Sequence, residues 1–250
     1  MQTRAPVLRP RIFAEVPSVR AGVSTRHGGV SGPPFASLNL SRHVGDDPSC
    51  VEENRRRFCA ALDADPAWLT TAGQVHGATV RVVDAPRHEP FCDALVTTTP
   101  ELLLTIATAD CAPVLLADPE HRVAGACHAG WRGAVAGIAA DTVAAMVDQG
   151  ATPETLRAFV GPCISRDAFE VGPEVAARFD AGVVHRRDEW PRPHVDLKAA
   201  LRRQLEGTGL PAEAIEVSDR CTATETDTFF SHRASDGTTG RMFGGVVLRS

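Results

Sequence analysis

The chain reads as one α/β domain, and three observations carry that reading. Residues 78–129 break into short apolar, β-branched runs; residues 133–150 follow helical spacing more closely than any other stretch; strand and helix patterns then alternate to the C-terminus. At 250 residues a single well-buried core is within reach, and 43% apolar with 23% charged residues is ordinary for a folded protein. No internal repeat, low-complexity tract or long Gly/Ser linker divides the chain, so one domain over residues 1–250 is expected.

The elements follow in order. Residues 22–48, GVSTRHGGVSGPPFASLNLSRHVGDDP, hold too many Gly, Ser and Pro for one regular element and read as a long structured loop, a feature that usually carries function. Asp47-Pro48 supplies an N-cap and a proline at the first helical position, opening a helix to about Leu62 with Val51, Arg55, Phe58, Ala61 and Leu62 on one face. The runs ATVRVVD (78–84), DALVTT (93–98), LLLTIAT (102–108), APVLLAD (112–118) and RVAGACHA (122–129) mostly lack strict alternation, as strands buried on both faces do, and suggest one central sheet. In GAVAGIAADTVAAMVDQG (133–150), Val135, Ile138, Ala139, Thr142, Val143, Met146 and Val147 form a helical stripe that Gly150 closes. RAFVGPCIS (157–165) predicts a strand ending in a Gly-Pro turn, VDLKAALRRQLEG (195–207) a helix closed by Gly207, and RMFGGVVLR (241–249) a last strand.

Composition excludes several function classes. A net charge of -5 without a basic block argues against a nucleic-acid partner, because phosphate backbones demand concentrated Lys and Arg. Lys198 is the one lysine among 26 basic residues; the arginine excess reads as coding bias, so an isolated arginine says little about function. Residues 1–12 have no apolar core and no run reaches about 18 apolar residues, so neither a leader nor a membrane partner is expected and the protein is placed in the cytoplasm. Cysteines at 50, 59, 92, 111, 127, 163 and 221 form an odd set without CxxC pairs, which reads as reduced thiols with some candidate ligands.

Three such candidates fall at strand ends. His128, in ACHAGWRGAV, stands where a buried strand turns into the strongest helix, with Gly130 and Gly133 allowing close approach. Cys111 follows LTIATAD, and His76 lies in GQVHGATV. A His, Cys, His set suits Zn²⁺ or copper with a fourth position open, although separations of 35 and 17 positions match no compact zinc motif. The bland readings are turn histidines satisfied by carbonyls and a small core thiol. Asp93 either orients a histidine or stays a strand-edge acid, and Cys127, next to His128, is expected on the opposite face. Cys163 is reactive or packed in a turn. Trp131 and Arg132 either wall a pocket or pack the turn, and His232, Arg233 and Arg241 belong to a phosphate-binding loop or a surface hairpin.

Taken together, the segments STRHGGVSGPPFASLNLSRHVGDDP, GQVHGATV, CDALVT, TADCAPVLLADP, ACHAGWRGAV, VGPCIS and FFSHRASDGTTGRM resemble the laccase-domain or polyphenol oxidase family, whose bacterial members are also called purine nucleoside phosphorylases. They run from Ser24 to Met242. The resemblance implies an α-β-β-α layered domain related to cysteine hydrolases, with one transition-metal site of His76, Cys111 and His128, Zn²⁺ ranking first and Cu²⁺ second. It implies phosphorolysis of adenosine, inosine, guanosine and methylthioadenosine, deamination of adenosine, and copper-dependent phenol oxidation in some members. The partners would be purine nucleosides and phosphate, bound by Arg26, Asn39, Arg42 and Arg233, in a monomer or homodimer. SHRASDG departs from the family's usual SYRRDG at His232 and Ala234, which bears on substrate contact. Two alternatives from other classes are a metal-free cysteine hydrolase, with Cys111 as nucleophile and His128 as base, and a non-enzymatic interaction module.

Overall fold

In the computed structural model, which describes residues 5–250, regular structure begins with β1 (Val7–Leu8) and β2 (Val19–Ser24). The first four of the twelve N-terminal residues considered above lie outside the described residues. No helix or strand forms between residues 25 and 47. Asp47 then caps α1 (Pro48–Ala61) by accepting the Ser49 N–H, with Pro48 at the first position, as its sequence requires. Next come β3 (Leu69–Ala72), β4 (Val80–Val82), β5 (His88–Glu89), β6 (Ala94–Thr97), β7 (Leu103–Thr108), β8 (Ala112–Asp118) and β9 (Val123–Ala129). After them follow α2 (Trp131–Ala136), α3 (Ile138–Asp148), β10 (Arg157–Val160), α4 (Pro173–Ala176), β11 (Val184–His185), β12 (His194–Val195), α5 (Leu197–Gly207), β13 (Ile215–Val217) and β14 (Met242–Leu248).

The strands do not make one central sheet. They form two mixed six-stranded sheets, ordered β1-β2-β14-β7-β3-β5 and β13-β10-β8-β9-β6-β4, with β11 and β12 as a separate pair. The burial pattern explains the division. Along β7, Leu104 and Ile106 face the second sheet while Leu103 and Ala107 face outward; along β8, Leu115 and Ala117 face the first sheet while Val114 and Leu116 face outward. Both faces are covered, so the runs read as continuously apolar although each strand alternates between two separate cores. Phe58 of α1 and the following Leu62 cover the first sheet at Leu103, Phe243 and Val247. Ile138, Val143 and Met146 of α3, with Leu197, Leu201 and Leu205 of α5, cover the second.

The helix expected over residues 133–150 is two helices. Gly137 breaks it with φ 91°, in the left-handed region where an α-helix cannot continue. The second piece therefore restarts its stripe at Ile138, leaving Val135 half-buried and Val147 41% exposed. Gly150 follows the Gln149 cap with φ 98°. Gly207 is the last residue of α5 rather than its stop; Gly209, two residues on, carries φ 94°. The strand read over 78–84 shortens to β4, an edge strand paired with β6 alone. Among the described residues no helix is long and apolar enough to cross a membrane.

Three connections pass from the first sheet to the second at the same end of the domain: residues 73–79 between β3 and β4, residues 90–93 between β5 and β6, and residues 109–111 between β7 and β8. Loss of a fully buried side chain from the layer between the sheets is expected to cost far more than loss of one from the solvent face of α3. Leu115→Ala should lower unfolding free energy by about 2–5 kcal/mol and Val147→Ala by under about 0.5 kcal/mol, read from urea denaturation of each variant.

Candidate metal centre

Two of these crossing connections carry His76 and Cys111, and β9 brings His128 against them. One ligand atom from each lies within 4.8 Å of the others, on an exposed, a half-buried and a buried residue respectively. The imidazole rings of His76 and His128 meet edge to face at 4.8 Å between centroids.

Asp93, just before β6, sets this arrangement. Its Oδ1 accepts the His76 N–H at 2.9 Å, and its Oδ2 accepts those of Gly77 at 2.7 Å and Val75 at 3.2 Å. The same Oδ1 lies 2.9 Å from His128 Nδ1, and the Asp93 carbonyl accepts the His128 N–H at 2.7 Å. A carboxylate at Nδ1 places the proton there and frees Nε2 as a ligand. His76 and Gln74 both hold positive φ, 62° and 56°, a costly conformation that the tight 73–79 connection maintains. Gln74 clamps that connection to β7, donating from Nε2 to the Ala107 carbonyl at 2.6 Å and accepting the Ala107 N–H at 2.7 Å.

The charges follow from these contacts. Burial works against ionisation of Asp93, but hydrogen bonds from His128, Gly77 and His76 outweigh it and hold the carboxyl below its usual range. Burial likewise opposes a charged Cys111, yet the His128 charge and hydrogen bonds from both histidines bring the thiol down to about 6. Burial disfavours a charged His128, and the Cys111 and Asp93 charges overcome it to raise the imidazole to about 9. Without a metal the pair is thus a thiolate beside an imidazolium. A bound cation would take the place of the imidazolium proton, so metal binding and proton release are coupled.

The residues fit a transition metal. Two imidazoles and a ready thiolate are the donors that Zn²⁺ and copper prefer. Gly130 leaves the space clear: a Cβ there would stand 2.9 Å from Cys111 Sγ and 3.3 Å from His76 Cδ2.

The group lies on the wall of a cleft of about 440 Å³. Trp131, Phe169, Ile164 and Leu197 line its apolar part, with His232 and Arg233 nearby. Trp131 faces the cleft, while exposed Arg132 sits over its ring at 4.4 Å. Arg233 reaches the Ala168 and Glu170 carbonyls at 3.3 and 3.1 Å. The other three residues expected to bind substrate stand outside the lining. Arg26 holds the Ala36 and Thr226 carbonyls, and Asn39 is fully buried against Ser41, Asp46 and the Arg241 N–H. Arg42 is exposed and pairs with Glu52. These contacts fold the 25–47 loop. Cys127 and Cys163 are fully buried, with thiols that burial pushes up to about 12.

Sequence reasoning missed Gln74, Phe169 and the far wall formed by His43, Arg55 and His88. Gln74 was within reach, since it sits two residues before His76 in a glycine-bounded word; the others carry no local signal.

Residues 20–249 match the model of a family described as multi-copper polyphenol oxidoreductase laccase. A purine nucleoside phosphorylase of Deinococcus radiodurans is 46% identical over 244 residues, covering 96% of this chain and 93% of its own. The purine nucleoside phosphorylase YfiH of Escherichia coli K12 is 42% identical over 234 residues, covering 90% and 91%. Among solved structures, YlmD from Geobacillus stearothermophilus has a TM-score of 0.89 at 34% identity, covering 100% of this chain and 98% of its own. A Bacillus licheniformis protein called YfiH has a TM-score of 0.90 at 31% identity, covering 100% and 97%.

Two outcomes are expected. In protein stripped of metal, the ultraviolet thiolate signal of Cys111 persists at neutral pH, disappears as pH falls through about 6, and is missing from Cys111→Ser. Asp93→Asn, which removes the charge orienting His128, lowers metal affinity about 10–100-fold in competition with a chromogenic chelator.

Proposed function

Because this chain belongs to the multi-copper polyphenol oxidoreductase laccase family and is similar to purine nucleoside phosphorylases, we propose that it is a metal-dependent purine nucleoside enzyme of the cytoplasm. In this reading it cleaves adenosine, inosine, guanosine and methylthioadenosine with phosphate and also deaminates adenosine. The observation that carries the reading is the His76, Cys111 and His128 group opening onto a cleft of nucleoside size with an aromatic wall.

His76, Cys111 and His128 would hold the ion, Zn²⁺ in first place and Cu²⁺ in second. Such an ion supplies Lewis-acid activation of an oxygen nucleophile at neutral pH. The chain's own groups do the rest. Asp93 keeps the proton on His128 Nδ1 and so keeps Nε2 directed at the centre. Trp131 and Phe169 offer flat apolar surface to a purine and exclude water from it. Arg233 offers charge at the same end, while Arg26 and Asn39 act by shaping the loop that brings Ser41 and His43 to the cleft. In phosphorolysis a phosphate oxygen bonds to C1′ as the C1′–N9 bond breaks, giving ribose 1-phosphate and the free base. In deamination water replaces the amino group at C6 and ammonia leaves.

A second reading, a metal-free cysteine hydrolase, draws on the Cys111 thiolate beside His128. Selective alkylation of Cys111 in protein shown by elemental analysis to lack metal would favour it. Phenol oxidation ranks lower: among the described residues one His/Cys/His group is present, whereas four-electron reduction of oxygen calls on a copper cluster.

Incubation of metal-analysed protein with adenosine, followed by chromatography, decides between the activities. Adenine that appears only with phosphate is phosphorolysis, and inosine is deamination. His76→Ala, Cys111→Ala and His128→Ala are each expected to lose about a hundredfold or more, since a ligand matters at least as much as the partner that orients it. Undiminished phosphorolysis in all three variants would sink the metal-dependent reading.

A further inference from the structure

The cleft has a second end of different chemistry. Arg55, Ser41, His43, Thr71 and His88 line it. Arg241, also in the lining, immediately precedes β14, where Met242 pairs with Thr108 and Phe243 with Ala107. It therefore sits beside the end of β7 that leads to Cys111.

One residue, Leu40, ties the Arg55 side chain to the Arg241 backbone. The Leu40 N–H donates to the Arg241 carbonyl at 3.1 Å, and the Leu40 carbonyl accepts from Arg55 Nε at 2.9 Å. Arg55 also lies over the Phe243 ring at 5.2 Å. Arg241 Nη1 donates to the Thr239 and Gly240 carbonyls at 2.8 and 3.0 Å. The remaining N–H groups, both Nη of Arg55 with Nε and Nη2 of Arg241, have no acceptor among the described residues.

Neither arginine has a carboxylate in ion-pair contact among the described residues, in contrast to Arg42 with Glu52, Arg202 with Glu206 and Arg203 with Asp180. The carboxylate in the cleft lining, Asp110, is already engaged: Oδ1 accepts the Thr222 hydroxyl and Oδ2 the Arg233 N–H, both at 2.7 Å. Burial lowers Arg55 to about 10 and lowers Arg241 from its usual value, so both stay cationic at neutral pH. Half-buried cations without an ion-pair partner are costly unless an anion completes them, and free guanidinium N–H groups match the oxygens of a tetrahedral oxyanion.

We infer that Arg241 and Arg55 form an oxyanion subsite for inorganic phosphate, flanked by the Ser41 and Thr71 hydroxyls. The inference rests on the phosphorolysis reading and deepens it. Phosphate held there attacks C1′, the C1′–N9 electron pair leaves with the purine, and the purine takes up a proton.

The test is calorimetric titration of the metal-loaded full chain with inorganic phosphate and, separately, with adenosine 5′-monophosphate. Wild type is expected to bind inorganic phosphate. Arg241→Gln and Arg55→Gln each weaken that binding about tenfold or more, Arg241→Lys falls between, and Arg202→Gln on the surface of α5 does not change it. Circular dichroism confirms that each variant folds, and Arg241→Lys with Arg55→Gln decides the matter if Arg241→Gln does not. Phosphate binding as tight as wild type in these variants overturns the subsite, as does a wild type that binds the nucleotide but not inorganic phosphate. The parent reading is read separately, from product. Arginine-dependent phosphate binding without ribose 1-phosphate formation leaves the subsite standing and removes phosphorolysis, whereas a raised KM for phosphate with an unchanged KM for adenosine supports both.

Discussion

Asp93 takes hydrogen bonds from the backbone N–H groups of Val75, His76 and Gly77 on the same carboxylate that faces the His128 ring. A connection from the first sheet and a strand of the second are thereby fixed to one charge. The carboxylate is buried, so it must be satisfied or protonated, and the donors around it keep it ionised. The Cys111 thiolate and this carboxylate together hold His128 protonated, and the carboxylate keeps Nε2 available. An apolar residue at 93 would leave the loop donors unpaired and let the imidazole turn.

Two sheets are what make such a constraint available. Within one open sheet, the residues following β3, β7 and β9 would lie along one crevice, spaced by the strands between them. Here the chain passes from the first sheet to the second three times, between β3 and β4, between β5 and β6 and between β7 and β8, and these passages carry His76, Asp93 and Cys111. Soft donors collect at that crossing, while the arginine-rich wall comes from α1 and the start of β14, against the other face of the first sheet. The cleft thus combines an apolar wall of Trp131 and Phe169 with guanidinium groups beside the thiolate and imidazoles. That combination suits a ligand with a flat apolar part and an anionic part better than a phenol.

Some of this was legible in the residues. The N-cap of α1, the apolar runs of β7, β8 and β9, and the final strand follow from local rules, because capping and side-chain alternation act over a few positions. The short β3 and β13 carry too few residues for a pattern to emerge. The single helix over 133–150 broke at Gly137 because its stripe continued across a glycine whose conformation only packing reveals. Arg26, Asn39 and Arg42 stood in the most distinctive loop, yet their polar groups are consumed in tying it to itself, to Glu52 of α1, to Thr226 and to Arg241.

The sequence by itself determined the class of the fold and its main elements and marked His76, Cys111 and His128 as candidate ligands, since thiol and imidazole at strand ends are unusual enough to be noticed without coordinates. Only the tertiary structure decided that those donors converge, that Asp93 organises them, and that Arg55 and Arg241 rather than Arg26 and Arg42 face the cleft. The physical reason is range. Propensity and capping are settled between neighbours, whereas a ligand set and a charged wall depend on how two sheets register across a shared core, which no local pattern encodes.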